Sequence, residues 1–378
     1  MIAEAGRDHR TAHGCLPTER QRLLLTACTA PAESAAKAWQ TWRSGGDLAS
    51  VDPASERLLL WIFHRRDELG LSVEDRNTLE ASYRRVWVRN QVLLNRCATL
   101  IAALEARGIE PILLKGISLL SELYGDEGGR YLEDFDLLVR PDQLEAAVKT
   151  LESAGWSLPR GESLRPETKH SQGFLNAEGL SCDLHWNLFR LYHGVPMDAS
   201  IWNGCRKIAF RGATAAVLSI EHQLLHLCVH SMAWEPVAPI RWVLDIHLLL
   251  ERHPVRWDFI EQEALRWELT LPLSEALSVL RQIVPGSVPD DLLKRLEQAA
   301  VSADQKRLYT HWVTMPSPVG VLRGVFQDWN EARIDGKRPG LTTFLRQRWK
   351  VHSFWALPRQ AILRLRRRWM SLRIGRRS

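Results

Sequence analysis

The sequence has no uninterrupted apolar run long enough to cross a bilayer; its most apolar stretches, LLHLCVH and VLDIHLLL, carry polar residues and end early. Its opening, MIAEAGRDHRTAHGC, is polar and mixed in charge, unlike a secretory signal with an apolar centre. Cysteine is sparse. Cys15, Cys28, Cys97, Cys182, Cys205 and Cys228 form no C-x-x-C pair and do not cluster with histidines at zinc-ligand spacing. Neither a P-loop G-x-x-x-x-G-K-[ST] nor a dinucleotide G-x-G-x-x-G is found, and there is no internal repeat or low-complexity linker. These absences argue against a transmembrane segment, a disulfide framework, a zinc ribbon and a Rossmann or P-loop nucleotide site. They predict a soluble, cytoplasmic protein with reduced thiols.

Acidic residues are also missing from one region. Leu341 to Ser378 holds eleven Lys or Arg and no Asp or Glu, so the net charge of +6 is a property of the tail. The first 340 residues hold 39 basic against 44 acidic side chains, a balance of −5. A nucleic-acid-binding surface over the whole molecule is therefore not implied. The tail alone, with Ile362, Leu365, Trp369 and Leu372 at helical spacing, reads as a basic amphipathic helix for an anionic membrane surface, an acidic partner or the acidic body itself. Sixteen tryptophans are scattered rather than interleaved with basic runs, which suits core packing more than a base-stacking platform.

At 378 residues, 45% hydrophobic and 25% charged, the chain is an ordinary globular protein large enough for two or three packed units. Four regions are expected: a helical N-terminal region, 1–107, with its first ~15 residues disordered; a mixed strand and helix core, 108–205; a helical substrate-side region, 206–340; and the basic tail, 341–378. Thr18, Asp52 (with Pro53 behind it) and Ser72 are helix caps in the first region, and Gly108 ends its last helix. In the second, IEPILLKG and YLEDFDLLV read as strands with a short helix between them. SQGFLNAEGLSCDLHWNLF reads as two strands about the turn NAEG.

The chemistry concentrates in that core. Side chains alternate across a strand, so Asp134 and Asp136 share one face and Phe135 takes the other. Two carboxylates on one face repel unless a proton or cation lies between them, and D-x-D is half of a Mg²⁺ or Mn²⁺ site. Asp183 and His185 share a face in CDLHW; if the two strands are neighbours, three carboxylates converge. That set suits a two-metal clamp for nucleotidyl or phosphoryl transfer, with His185 orienting a carboxylate or accepting a proton. Lys115 and Gly116 end the preceding strand at a helix start, where backbone N–H groups favour phosphate.

GIEPILLKGISLLSELYGDEGGRYLEDFDLLV, CDLHWNLF, LLHLCVH and IRWVLDIHLLL together resemble the bacterial family of uncharacterised nucleotidyltransferases, within the polymerase-beta-like nucleotidyltransferase superfamily, over about residues 20–290. The resemblance implies an α+β, minimal nucleotidyltransferase fold, a small mixed sheet with flanking helices set between helical regions. It implies metal binding by Asp134, Asp136 and Asp183, a nucleoside triphosphate as co-substrate, and His226 and His230 on a helix beside the sheet where the acceptor lies. The wider superfamily has Gly-Ser where this chain has Lys115-Gly116. Family members often neighbour genes for peptide natural products, lasso peptides among them.

The remaining candidates have two readings each. Arg130 is either a triphosphate contact or an exposed turn arginine. Arg241 either pairs with Asp245 along one helix or touches substrate. His222, His226 and His230 recur every four residues, as a zinc site or as histidines lining the cleft. For the whole chain, the enzyme reading stands beside a catalytically inactive protein of the same fold that binds a nucleotide or partner. The acceptor, a small molecule, a peptide or protein hydroxyl or an RNA end, is not written in these residues.

Overall fold

The computed structural model describes residues 16–160, 162–166, 169–189, 199–233, 239–313 and 340. The expected disorder of the first residues and the amphipathic helix of 341–378 lie outside the described residues.

Among the described residues four helices open the fold, and three of them start at the caps the sequence marks. Helix α1 (Glu19–Thr29) starts in a reciprocal capping box between Thr18 and Gln21, and α2 (Ala32–Ser44) follows it. Helix α3 (Pro53–His64) starts where the Asp52 carboxylate accepts from the N–H groups of Ala54 and Ser55. Helix α4 (Val73–Glu105) starts at Ser72, whose hydroxyl accepts from Asp75 N–H, and Gly108 turns the chain out of it at φ 73°.

Among the described residues, seven strands form one mixed sheet flanked by helices. In chain order these are β1 (Ile112–Leu114), α5 (Lys115–Leu123), β2 (Phe135–Leu138), α6 (Leu144–Ser153), β3 (Trp156–Ser157), β4 (Ser171–Asn176), β5 (Ser181–His185), α7 (Ala199–Asn203), β6 (Arg206–Phe210) and β7 (Ala213–Val217). Their order across the sheet is β3-β4-β5-β2-β1-β7-β6. The β1–β2 pair is antiparallel, whereas β2–β5 and β1–β7 are parallel. Helices α8 (Ile220–Ser231) and α9 (Trp242–Arg252) then pack against each other, α9 also against α5, followed by α10 (Trp257–Arg266), α11 (Thr270–Ile283), α12 (Asp290–Gln298) and α13 (Ala303–Val313).

Two expectations are corrected. The second strand is shorter than YLEDFDLLV, so Asp134 stands one residue before β2 rather than inside it. The boundary at 205 also cuts the sheet: β6 and β7, at the start of the region expected to be helical, are a hairpin about Arg211 and Gly212, both at positive φ (50° and 80°). A single cluster of buried apolar side chains runs from Leu24 to Val313, joining the helices and the sheet. No helix among the described residues is long and apolar enough to cross a membrane.

Candidate active site

The site starts at the turn from β1 into α5. Leu114 pairs with Asp136 across antiparallel strands, and the next residue, Lys115, takes φ 45°. A side chain in this left-handed region costs about 1–3 kcal/mol, which surrounding contacts must offset. Here the offset is visible: Lys115 Nζ lies 2.7 Å from Asp136 Oδ1. No side chain caps the start of α5, so its first N–H groups are left without that partner beside the carboxylates.

Strands β2 and β5 supply the acids. Their parallel register places Asp136 opposite Asp183, with Phe135 opposite Cys182 and Leu137 opposite Leu184. Alternation sends those four neighbours into the core, where Phe135 meets Trp156 edge to face at 5.3 Å. His185 Nε2 is 2.9 Å from the same Asp136 Oδ1 that holds Lys115. Gly173 faces Asp183 from β4; a Cβ there would come within 3.1 Å of Asp183 Oδ1, so the glycine leaves the carboxylate its room. Ligand atoms of Asp136, Asp183 and His185 lie within 4.8 Å of one another. Asp134, one residue before β2, lines the same cleft.

The acids differ electrostatically. Burial would raise the Asp136 carboxyl, but Lys115 and His185 outweigh it and hold Asp136 well below the usual carboxylate range. Asp134 is pushed up to about 7 by burial and by the charges of Asp136 and Asp183. Asp183 is raised for the same reasons, burial first and Asp136 next. Lys115 titrates above its ordinary value because the acids outweigh its burial. One carboxylate is thus matched by a protein cation, while two remain short of positive charge.

Arg130 is not an exposed turn residue. It is buried, and its Nε and Nη2 donate to the two oxygens of Asp245 at 2.9 Å each. Tyr124 donates to Asp245 Oδ1 at 2.6 Å. The intrahelical Arg241–Asp245 pair is likewise replaced, since the Asp245 carboxylate serves Arg130 and Tyr124 while Arg241 Nη1 donates to the Tyr131 carbonyl at 2.9 Å. Burial and the neighbouring Arg130 push Arg241 down to about 10. Arg130 also explains Gly116: a Cβ at that residue would stand 2.8 Å from Arg130 Nη1 and 2.9 Å from Leu132 Cδ2. The sequence reading missed Asn90, buried on α4, which donates to the Glu127 and Arg130 carbonyls and accepts from Leu132 N–H, fixing the loop before Asp134. A lone amide in a helix gives no local sign of such a role.

The expected histidine row divides. His222 is directed away from the cleft, with Nδ1 3.0 Å from Ser219 Oγ and Nε2 3.1 Å from Glu263, which argues against a three-histidine zinc site. His226 and His230 do reach it, with ring centroids 6.1 Å apart. Burial, then the charge of Lys115, pushes His226 well below the ordinary histidine range, so it is neutral at pH 7.

Two cavities meet at this point. The larger, about 350 Å³, is bordered by Lys115, Asp134, Asp136, Asp183, Arg130 and Arg241. The smaller, about 180 Å³, shares Lys115, Asp183, His226 and His230 with it and extends to His185, Phe189 and Trp312.

A structure titled as an antigenic nucleotidyltransferase-like protein from Paracoccidioides brasiliensis is similar over 58% of this chain and 96% of its own, at 17% identity and a TM-score of 0.36. No curated protein matches the chain. The family model described as uncharacterised nucleotidyltransferase matches residues 54–285, which include all seven strands, the three aspartates and both cleft histidines. The chain belongs to the uncharacterised nucleotidyltransferase family.

Proposed function

We propose that the protein is a Mg²⁺- or Mn²⁺-dependent nucleotidyltransferase that moves a nucleotidyl group from a nucleoside triphosphate to an acceptor hydroxyl. The observation that carries this reading is the convergence of Asp134, Asp136 and Asp183 on one cleft, with only Asp136 matched by a lysine. Asp134 and Asp183 are raised by burial and by like charge, the condition a divalent cation relieves. Oxygen-rich donors fit Mg²⁺ or Mn²⁺, so Asp134, Asp136 and Asp183 are assigned as the residues that hold it, with His185 behind Asp136. When bound, the cation neutralises triphosphate charge and eases ionisation of the attacking hydroxyl.

The chain's own groups divide the work. The start of α5 at Lys115 and Gly116, with the excess of guanidinium over carboxylate at Arg130, Arg241 and Asp245, favours the triphosphate in the larger cavity. The acceptor oxygen attacks the α-phosphorus, an O–P bond forms, the bond to the β-phosphate oxygen breaks, and pyrophosphate leaves. Asp183, common to both cavities, takes the hydroxyl proton. Lys115 and His185 hold Asp136 ionised and fixed in place throughout.

The test is incubation of the purified protein with α-labelled and γ-labelled triphosphates, Mg²⁺ and a cell extract as acceptor source. Retention of the α-label with release of pyrophosphate supports the assignment. Retention of the γ-label alone makes the enzyme a phosphoryl transferase, and no retention with intact triphosphate binding makes it a binding protein.

A further inference from the structure

A third cavity, of about 530 Å³, lies between α3 and α4, within the ~300–1,000 Å³ of small-molecule sites. Its apolar lining includes Leu59, Leu60 and Leu79, all buried, together with Val86 and Tyr131. Arg57, Tyr131 and Glu133 also border the larger cavity of the cleft, so the two spaces adjoin. None of the three aspartates of the cleft borders this one.

The polar lining is unbalanced in charge. Arg57 pairs with the exposed Glu133 at 3.0 Å. Arg85 and Arg89 are one turn apart on α4, on the face that lines the cavity, and neither has a carboxylate partner among the described residues. Arg85 is exposed and donates to Ser82 Oγ at 3.0 Å. Arg89 donates to the Leu132 and Glu133 carbonyls at 3.2 Å each, with its guanidinium 5.3 Å from the centre of the Tyr131 ring. Three arginines thus stand against two glutamates, Glu56 and Glu133, an excess of one positive charge beside an apolar floor. A carboxylate matches that excess and offers two oxygens to a guanidinium fork, whereas a phosphate monoester, at about −1.5 to −2, exceeds it.

We propose that this cavity is a second ligand site beside the cleft and that it takes an apolar monocarboxylic acid, with its carboxylate at Arg85 and Arg89 and its hydrocarbon body against Leu59, Leu60, Leu79 and Val86. The site is separate from the cavity assigned to the triphosphate, and its occupation does not depend on the transferase reading.

Octanoate is the probe, with 1-octanol and octylamine as controls, followed by ligand-observed NMR on the full chain with and without saturating MgATP. The wild type is expected to bind octanoate in preference to both controls and to keep it when MgATP is bound. Arg85→Gln keeps a polar side chain and removes the charge; it should lower octanoate affinity about fivefold, the scale of an exposed ion pair, and leave 1-octanol unchanged. Val86→Phe, which places a ring in the cavity, should weaken octanoate and 1-octanol alike, about tenfold, while MgATP binding stays as in the wild type. No preference for octanoate in the wild type, an octanoate affinity unchanged in either folded variant, or displacement of octanoate by MgATP overturns the proposal. Should Val86→Phe melt early, the Arg85→Gln comparison decides alone. Absence of MgATP binding in the wild type would refute the transferase reading and leave the octanoate comparison standing.

Discussion

Asp136 and Asp183 stand opposite each other on adjacent parallel strands, yet only Asp136 has a lysine, at 2.7 Å. The same cluster therefore contains a carboxylate that stabilises the folded chain and carboxylates that oppose it. Substitutions that look equivalent should separate on this basis.

Asp136→Asn is expected to lose metal-dependent transfer and also stability. It leaves the mostly buried Lys115 without its main counter-charge, and breaking such a pair costs up to about 3–5 kcal/mol, less here because Asp134 and Asp183 remain nearby. Transfer should fall by more than ~10²-fold, since even residues behind a metal ligand cost ~10–100-fold. Denaturant unfolding and label transfer read the two effects. An Asp136→Asn protein as stable as wild type would show that Lys115 does not depend on it.

Asp134→Asn should lose activity and gain metal-free stability, with a defined pH dependence. The Asp134 carboxyl titrates at about 7 when folded and near 4 when unfolded. Between these values the folded chain holds a proton the unfolded chain has released, so this group lowers stability as pH rises through the window. The advantage of Asp134→Asn over wild type should grow from near zero at pH ~4 to a plateau above pH ~7, with chelator present. Parallel stability curves for the two proteins would remove the basis of the assignment. Added Mg²⁺ should raise the wild-type melting temperature more at pH 8 than at pH 5.5.

Asp245→Asn should be among the most destabilising single changes. It leaves the buried Arg130 without its carboxylate partner and next to the half-buried Arg241, at a cost of about 3–5 kcal/mol. A midpoint of unfolding within error of wild type would contradict the buried network.

Gly116→Ala should shift Arg130 and Leu132 and cost about 1–3 kcal/mol, because its new methyl group meets both below 3.0 Å. Triphosphate affinity should drop with it. Gly173→Ala, with 3.1 Å to Asp183 Oδ1, should leave affinity intact and lower turnover. Identical kinetics for the two variants would break the link between each glycine and its neighbour.

What the sequence revealed was whatever depended on near neighbours in the chain. Thr18, Asp52 and Ser72 cap helices through groups two or three residues on, and the NAEG turn joins β4 to β5 through Gly179 at φ 78°. The convergence of the acids was readable because strand alternation fixes their side and only the pairing of β2 with β5 remained to be supplied. The Arg130–Asp245 pair joins residues 115 apart, and no local pattern selects it over the Arg241–Asp245 spacing of four. The β6–β7 hairpin escaped because Ala213–Val217 is rich in alanine, a weak strand former whose place here comes from pairing with β1.

The parallel register of β2 and β5 also bears on how faithfully this chain folds. Sliding one strand past the other by a single residue would invert every side chain on it, exchanging Asp136 for Phe135 or Asp183 for Cys182 on the buried face. A carboxylate left among Trp156, Phe174 and Leu184 would have neither water nor a cation, a penalty far above that of an ordinary mispaired strand. The acids that suit the cleft to chemistry thus also reject the wrong sheet, and a chain whose Asp136 and Asp183 were both replaced by valine should refold with more misregistered product.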